Sequence, residues 1–319
     1  MIISDIRKPV ILFDTSGINY LYDDVQRERR LDLLRGICYP RVTFTALDEV
    51  AATPEAYRRK QLVEMILRLQ NAGDCVLPFH VLLTNHVKAY SVEGNYDWNN
   101  VDSVGTELKE TIIAFRHEIT DELASLQRTE IKSFEMRYKN MFETVKNKLA
   151  EILEDQEGWP LEQFMQFAFK ENGSYWKIAA GLMGRALTFE LDEQQRAHGA
   201  IVIKDTNTIP HEEIREFSAS EAEEFATNCP PFKAMLLGLA RSEYARAHDQ
   251  SLSRDQRRKA AGRIDTYSSL YLPYCRFFVT ADRGQFDCLS FVAQELGEGA
   301  EVVMYERFWE YLADPSFRF

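Results

Sequence analysis

An apolar run from Val10 to Phe13 ends directly at Asp14, and the hydroxyl residues Thr15 and Ser16 follow it. Consecutive apolar residues predict a strand that is buried on both faces, as the strands of a parallel sheet are. Ligands of open α/β sheets bind beyond the carboxyl ends of the strands, so Asp14 lies where such a site would begin. The alternative is that these three polar residues only cap the following helix, which their residue types do well.

Two later strands are also predicted to end beside an acid. Residues 41–45 are rich in β-branched side chains, and Glu49 lies one turn into the helix predicted to follow them. Residues 276–280 are predicted to form another buried strand, which ends in Ala281-Asp282. Because the carboxyl ends of parallel strands meet at one edge of a sheet, these acids are expected to converge with Asp14. Taken alone, Glu49 could equally be a surface acid that the helix dipole favours.

A fourth acid, Asp265, lies 17 residues before Asp282, on the helix predicted to lead into that strand. Carboxylates that lie together repel one another unless hard cations neutralise them, and Mg²⁺ and Mn²⁺ prefer such oxygen ligands. One or two such ions can activate a water and hold a phosphodiester for in-line displacement. The sequence offers no Ser-His-Asp candidate, Gly-rich phosphate loop or P-loop lysine that would favour a different chemistry.

At these acids the sequence resembles the PIN-domain nucleases. The matching segments are Phe13-Asp14-Thr15-Ser16, Leu47-Asp48-Glu49-Val50-Ala51, Ile264-Asp265-Thr266 and Phe277-Phe278-Val279-Thr280-Ala281-Asp282. The resemblance implies an α/β fold of PIN type, in which helices flank a central parallel sheet. It also implies a metal-dependent endoribonuclease that hydrolyses phosphodiester bonds, with RNA as its partner; the choice of RNA over DNA rests on the resemblance alone.

The resemblance assigns roles to individual residues. It implies that the catalytic and metal-binding residues are Asp14, Glu49, Asp265 and Asp282. The ion they would hold is Mg²⁺ or Mn²⁺. Three hydroxyl residues, Thr15, Ser16 and Thr280, would support these carboxylates.

The resemblance covers only residues 1–85 and 240–319, which are expected to form one discontinuous nuclease domain. There, residues 18–34 are predicted to be one helix and residues 75–83 a short strand. Residues 86–239 are predicted to be a mainly helical insertion, which could act as a lid, a substrate clamp or a dimerisation arm. The insertion is acidic, since residues 151–227 hold 16 Asp and Glu against six Lys and Arg.

Basic residues are clustered in three places outside the acidic insertion. The clusters are Arg27, Arg29 and Arg30; Arg58, Arg59 and Lys60; and Arg254, Arg257, Arg258 and Lys259. The last cluster is predicted to bind nucleic acid. Because the formal net charge of the chain is -12, any attraction of a polyanion would be local to such clusters. The alternative is that they are ordinary solvated helix faces.

The composition is typical of a globular protein, and two other functions are compatible with parts of the sequence. With 28% charged residues, no membrane-spanning apolar run and no signal sequence, the chain is expected to be a cytoplasmic globular protein without a membrane partner. A haloacid-dehalogenase-type phosphatase also starts with an Asp after its first strand, but it needs a second Asp where this chain has Ser16. The other rival is a catalytically silent module that uses the same fold to bind nucleic acid or protein.

Overall fold

The protein is built around a parallel β-sheet. The computed structural model describes residues 8–69, 75–92, 98, 120–129, 131–133, 136, 147, 151, 159–171, 174–196, 216–247, 266–297 and 299–314. The strands are β1 (Val10–Phe13), β2 (Tyr39–Thr43), β3 (Cys75–Val76), β4 (Phe277–Thr280) and β5 (Glu301–Met304). Their order in the sheet is β3-β2-β1-β4-β5, and every neighbouring pair is parallel.

The central position of β1 follows from its sequence. Ile11, Leu12 and Phe13 are completely buried, as expected for an apolar strand covered on both faces. Ile11 lies opposite Phe277, so the two apolar runs at opposite ends of the chain are direct neighbours. The prediction that residues 10–13 and 276–279 belong to one sheet is therefore confirmed.

Helices flank this sheet. Before residue 93 they are α1 (Thr15–Asp23), α2 (Arg27–Ile37), α3 (Phe44–Ala51), α4 (Ala56–Leu69) and α5 (Phe79–Val92). Later helices span Leu161–Gln166, Ser174–Arg196, Ala219–Asn228, Pro230–Ala247, Arg283–Leu296 and Tyr305–Ala313, with a π-helical segment at Phe167–Glu171 and a 3-10 segment at Ser268–Tyr274.

Two local predictions are wrong. Residues 18–34 do not form one helix, because Asp24 takes an extended backbone conformation that ends α1 before α2 begins. Residues 75–83 do not form a strand beyond Val76, because α5 begins at Phe79. The carbonyl of Pro78 accepts the first bond of that helix from the amide of Leu82 at 2.9 Å, and proline has no N–H with which to extend the strand pairing.

The described helices after residue 160 share one hydrophobic core with the sheet. Met183, Phe232 and Met235 belong to the same cluster of buried residues as Leu12 and Phe278. The helix Pro230–Ala247 also runs through the predicted boundary between residues 239 and 240. The division into a nuclease domain and a helical insertion stays a prediction. Within the described ranges, no helix is both long enough and apolar enough to cross a membrane.

Candidate active site

A cavity of about 330 Å³ lies at the carboxyl ends of β1, β2 and β4. It contains three of the four predicted carboxylates, Asp14, Glu49 and Asp282. Its other lining residues are Thr15, Ser16, Asn19, Thr43, Thr45, Ala46, Phe79, Ser268, Tyr271, Phe278 and Gln285. Asp265 lies outside the described residues. The structure therefore brings together the acids that follow β1, β2 and β4, as the parallel sheet predicts.

Asp14 is held by three donors. Its Oδ1 accepts a bond from the amide of Gly17 at 2.6 Å, which makes Asp14 the N-cap of α1. The hydroxyl of Ser16 lies 2.8 Å from Oδ2, and the hydroxyl of Thr280 lies 2.9 Å from the same atom. Asp14 is thus a helix cap that also lines the cavity, and its role in a ligand site stays a prediction.

Asp282 is the corresponding cap on β4. Its Oδ1 accepts a bond from the amide of Gln285 at 2.7 Å, at the start of the helix Arg283–Leu296. Its own amide donates to the hydroxyl of Thr280 at 3.0 Å. Within the described part of the chain, no donor reaches the other carboxylate oxygen, and the side chain is exposed. Asp282 therefore caps a helix through one oxygen and also lines the cavity.

Two hydroxyl side chains join the ends of β1 and β4. Ser16 accepts a bond from the amide of Ala281 at 2.8 Å, and its hydroxyl lies 3.2 Å from that of Thr280. Because Thr280 is fully buried, its hydroxyl has a fixed environment between Asp14 and Gln285. Ser16 and Thr280 therefore connect the ends of β1 and β4 beside the two aspartates, and their supporting role in a metal site stays a prediction.

Glu49 is oriented by the third predicted hydroxyl residue. Thr15 donates a short hydrogen bond to Oε2 of Glu49, which ties α1 to α3 across the cavity. The neighbouring acid, Asp48, has a different electrostatic state. Burial and then the charge of Glu49 raise the pKa of Asp48 to about 8, so Asp48 is mostly protonated at neutral pH. Asp48 therefore adds little charge to the site.

Three lining residues were not singled out from the sequence. Gln285 lies three residues after its cap Asp282, a spacing typical of a capping box, although its side-chain oxygen lies 2.8 Å from the hydroxyl of Thr280 instead. Asn19 lies four residues after Thr15, on the same face of α1. Tyr271 donates to the carbonyl of Leu77 at 3.1 Å, and no local pattern points to it.

The structure describes the first two basic clusters but not the third. Arg254, Arg257, Arg258 and Lys259 lie outside the described residues, so their predicted contact with nucleic acid stays a prediction. Arg59 is 1% exposed and donates to the carbonyl of Thr53 at 2.7 Å and to Asp121 at 2.6 Å. It cannot be part of a solvated basic surface, because its guanidinium is bound inside the protein.

Gly17 fixes the distance between α1 and β4. A Cβ atom added at Gly17 would lie 2.9 Å from the carbonyl oxygen of Val279 and 3.1 Å from Oδ1 of Asp14. We expect Gly17→Ala to lower the free energy of unfolding by about 2 kcal/mol, because the backbone of β4 and the carboxylate of Asp14 must both move. Equilibrium unfolding in urea measures this change.

The matched control for this prediction is Gly36→Ala in α2. Nothing lies within 4 Å of a Cβ added there, so alanine should raise helix stability by up to about 1 kcal/mol. Equal effects of the two substitutions would show that α1 and β4 are not closely packed.

Two further observations bear on the class of site. Among the described residues, no three His, Cys, Asp or Glu side chains are grouped closely enough to hold a metal ion. In comparisons with known proteins, no family model, no curated protein and no solved structure matches the chain. The resemblance to PIN-domain nucleases is therefore carried by the motifs and stays a prediction.

Proposed function

We propose that the protein is a divalent-metal-dependent nuclease, an endoribonuclease with a PIN-like fold and a helical insertion. The observation that supports this most is the convergence of Asp14, Glu49 and Asp282 on one cavity at the carboxyl edge of the sheet. A phosphodiester is itself anionic, so a cavity lined by carboxylates would repel it. A bound cation removes that repulsion, which links this donor set to a metal and a phosphate substrate.

The residues present fit a hard cation in their chemistry. The site offers carboxylate and hydroxyl oxygens, which suit Mg²⁺ and Mn²⁺. Asp14, Glu49 and Asp282 are not grouped closely enough to ligate one ion together, so they would hold it partly through bound water. Asp265, outside the described residues, would be the fourth ligand. When bound, such an ion supplies Lewis acidity that activates water and neutralises phosphate charge.

The chain's own residues supply orientation and charge. Ser16 and Thr280 hold the carboxylate of Asp14 between β1 and β4. Thr15 holds Glu49 on the opposite wall. These bonds come from rigid elements, which position a site more accurately than loops do. The proton on Asp48 limits repulsion beside Glu49, so the wall carries one negative charge rather than two.

A catalytically silent binding module is the second candidate. Asp14 and Asp282 each cap a helix, and this structural role alone accounts for an acid at both places. A phosphatase of the haloacid-dehalogenase type is disfavoured, because Ser16 stands where its general acid is needed. The hydroxyl of Ser16 is bonded to Asp14, and a serine has no acidic proton to donate at neutral pH.

Cleavage of labelled oligonucleotides separates these candidates. Single-stranded RNA and DNA of the same sequence are incubated with the protein in Mg²⁺, in Mn²⁺ and in EDTA. We expect RNA to be cut internally in the metal-containing samples and to remain intact in EDTA. No cleavage of either strand, at any divalent-metal concentration, would contradict the nuclease proposal and favour the silent module.

A further inference from the structure

Arg58 on α4 is connected to the carboxylate cavity through one side chain. Asn19 lines the cavity, and its Nδ2 donates to the carbonyl of Thr15 at 2.9 Å. This bond turns the Oδ1 of Asn19 outward, where it accepts from Nη2 of Arg58 at 3.1 Å. A guanidinium therefore lies one hydrogen bond away from the cavity wall.

The guanidinium of Arg58 is held in place before any ligand binds. Nη1 and Nη2 donate to the two carboxylate oxygens of Asp23 at 3.1 and 2.8 Å. Its central carbon lies 4.9 Å from the ring centroid of Tyr22, a cation–π distance. Within the described residues these bonds use three of its five N–H groups, and the side chain is 31% exposed. Two donors remain for an anion.

From this geometry we propose that Arg58 binds a backbone phosphate of a single-stranded substrate whose scissile bond enters the cavity. The inference rests on the proposed nuclease function and adds the path of the strand along α1 and the start of α4. The two remaining donors, Nε–H and one Nη1–H, lie on different edges of the guanidinium, so one of them would bind a phosphate oxygen in a charge-assisted hydrogen bond. Tyr57, which precedes Arg58 and is 70% exposed, offers a ring face for a neighbouring base.

The carboxylate of Asp23 opposes this binding. Its removal should therefore change the affinity for substrate in the opposite direction to the removal of Arg58. The side chain of Asp23 is 58% exposed, and an exposed ion pair of this kind contributes little to stability. A phosphate can therefore share Arg58 with Asp23, but the carboxylate repels it. Loss of the carboxylate should strengthen substrate binding, whereas loss of the guanidinium should weaken it.

The experiment measures binding of a fluorescein-labelled oligouridylate by anisotropy over a series of salt concentrations. Ca²⁺ replaces Mg²⁺, because without a cation the carboxylates of the cavity would repel the strand. Arg58→Ala is expected to weaken binding about tenfold, as for the loss of one charge-assisted hydrogen bond. The slope of log K against log salt should fall by about 0.7, the value for one phosphate contact on a single strand. Arg58→Lys should keep most of that slope, and Asp23→Asn should bind more tightly than the wild type.

Arg68→Ala is the matched control. Arg68 lies on the same helix and is likewise paired with an acid of an earlier helix, Glu28, but within the described residues it bonds to no side chain that lines the cavity. Its loss should change affinity less than twofold. Unfolding midpoints of all variants establish that they are folded.

The outcomes separate the two proposals. If the wild type cuts RNA but Arg58→Ala and Arg68→Ala bind alike, the role of Arg58 is wrong and the nuclease stands. Weaker binding by Asp23→Asn would also overturn it, since the ion pair would then be structural. If the wild type neither binds nor cuts RNA, the nuclease proposal fails, and the inference with it.

Discussion

Asp14→Asn is expected to lower the rate of metal-dependent RNA cleavage by about a thousandfold or more, because a charged ligand of the proposed ion is lost. The fold should survive. Asparagine caps helices as well as aspartate, so its Oδ1 can still accept from the amide of Gly17. The hydroxyls of Ser16 and Thr280 can rotate to accept from the new amide. Initial cleavage rates and thermal unfolding midpoints measure the two effects.

Two neutralising substitutions outside the proposed ligand set serve as controls. Asp48→Asn changes little charge at neutral pH, because the pKa of Asp48 is raised to about 8. Asp287→Asn removes an exposed carboxylate that pairs with Arg283 at 3.4 Å. Both variants should cleave RNA at rates within a few-fold of the wild type. A loss as large as that of Asp14→Asn in either control would contradict the assignment of ligands.

Arg59→Met is expected to lower the free energy of unfolding by about 3 kcal/mol. Methionine keeps much of the volume but leaves the carbonyls of Thr53 and Pro54 without their buried donor. It also ends the bond to Asp121, which links α4 to residues far along the chain. Equilibrium urea unfolding measures this loss.

Lys60→Ala, one residue further on, is the control for Arg59. Lys60 is exposed, so its loss should change stability by less than about 0.5 kcal/mol. If Arg59→Met were equally mild and weakened RNA binding instead, Arg59 would be a surface contact, as the basic cluster in the sequence suggests.

The position of Asp14 and Asp282 at one edge of the sheet could be predicted from the sequence, because it follows from short local patterns. β1 and β4 are short runs of apolar residues, and each is followed by an acid within two positions. Parallel pairing then places those acids at the same edge of the sheet. The supporting hydroxyls were implied only by the resemblance to PIN-domain nucleases, whose motifs include Ser16 and Thr280 within two residues of Asp14 and Asp282.

The rest of the site depends on contacts between distant parts of the chain. Tyr271 reaches the cavity wall through a bond to Leu77, 194 residues away in sequence. The burial of Arg59 depends on α4 packing beside Asp121, so an identical sequence on a free helix would be solvated. The pKa of Asp48 likewise depends on its burial in the fold. No sequence spacing encodes these relationships.

The proposed metal site can be tested directly by anomalous diffraction from crystals soaked in Mn²⁺. We expect a Mn²⁺ peak in the cavity, about 2.1 Å from carboxylate oxygens of Asp14, Glu49 or Asp282, and we expect the peak to be lost in Asp14→Asn. Soaked crystals would also show whether Asp265 reaches the ion. The wild-type crystals should be soaked at a Mn²⁺ concentration that saturates metal-dependent RNA cleavage in solution. A cavity without Mn²⁺ in those crystals would contradict the proposed metal site.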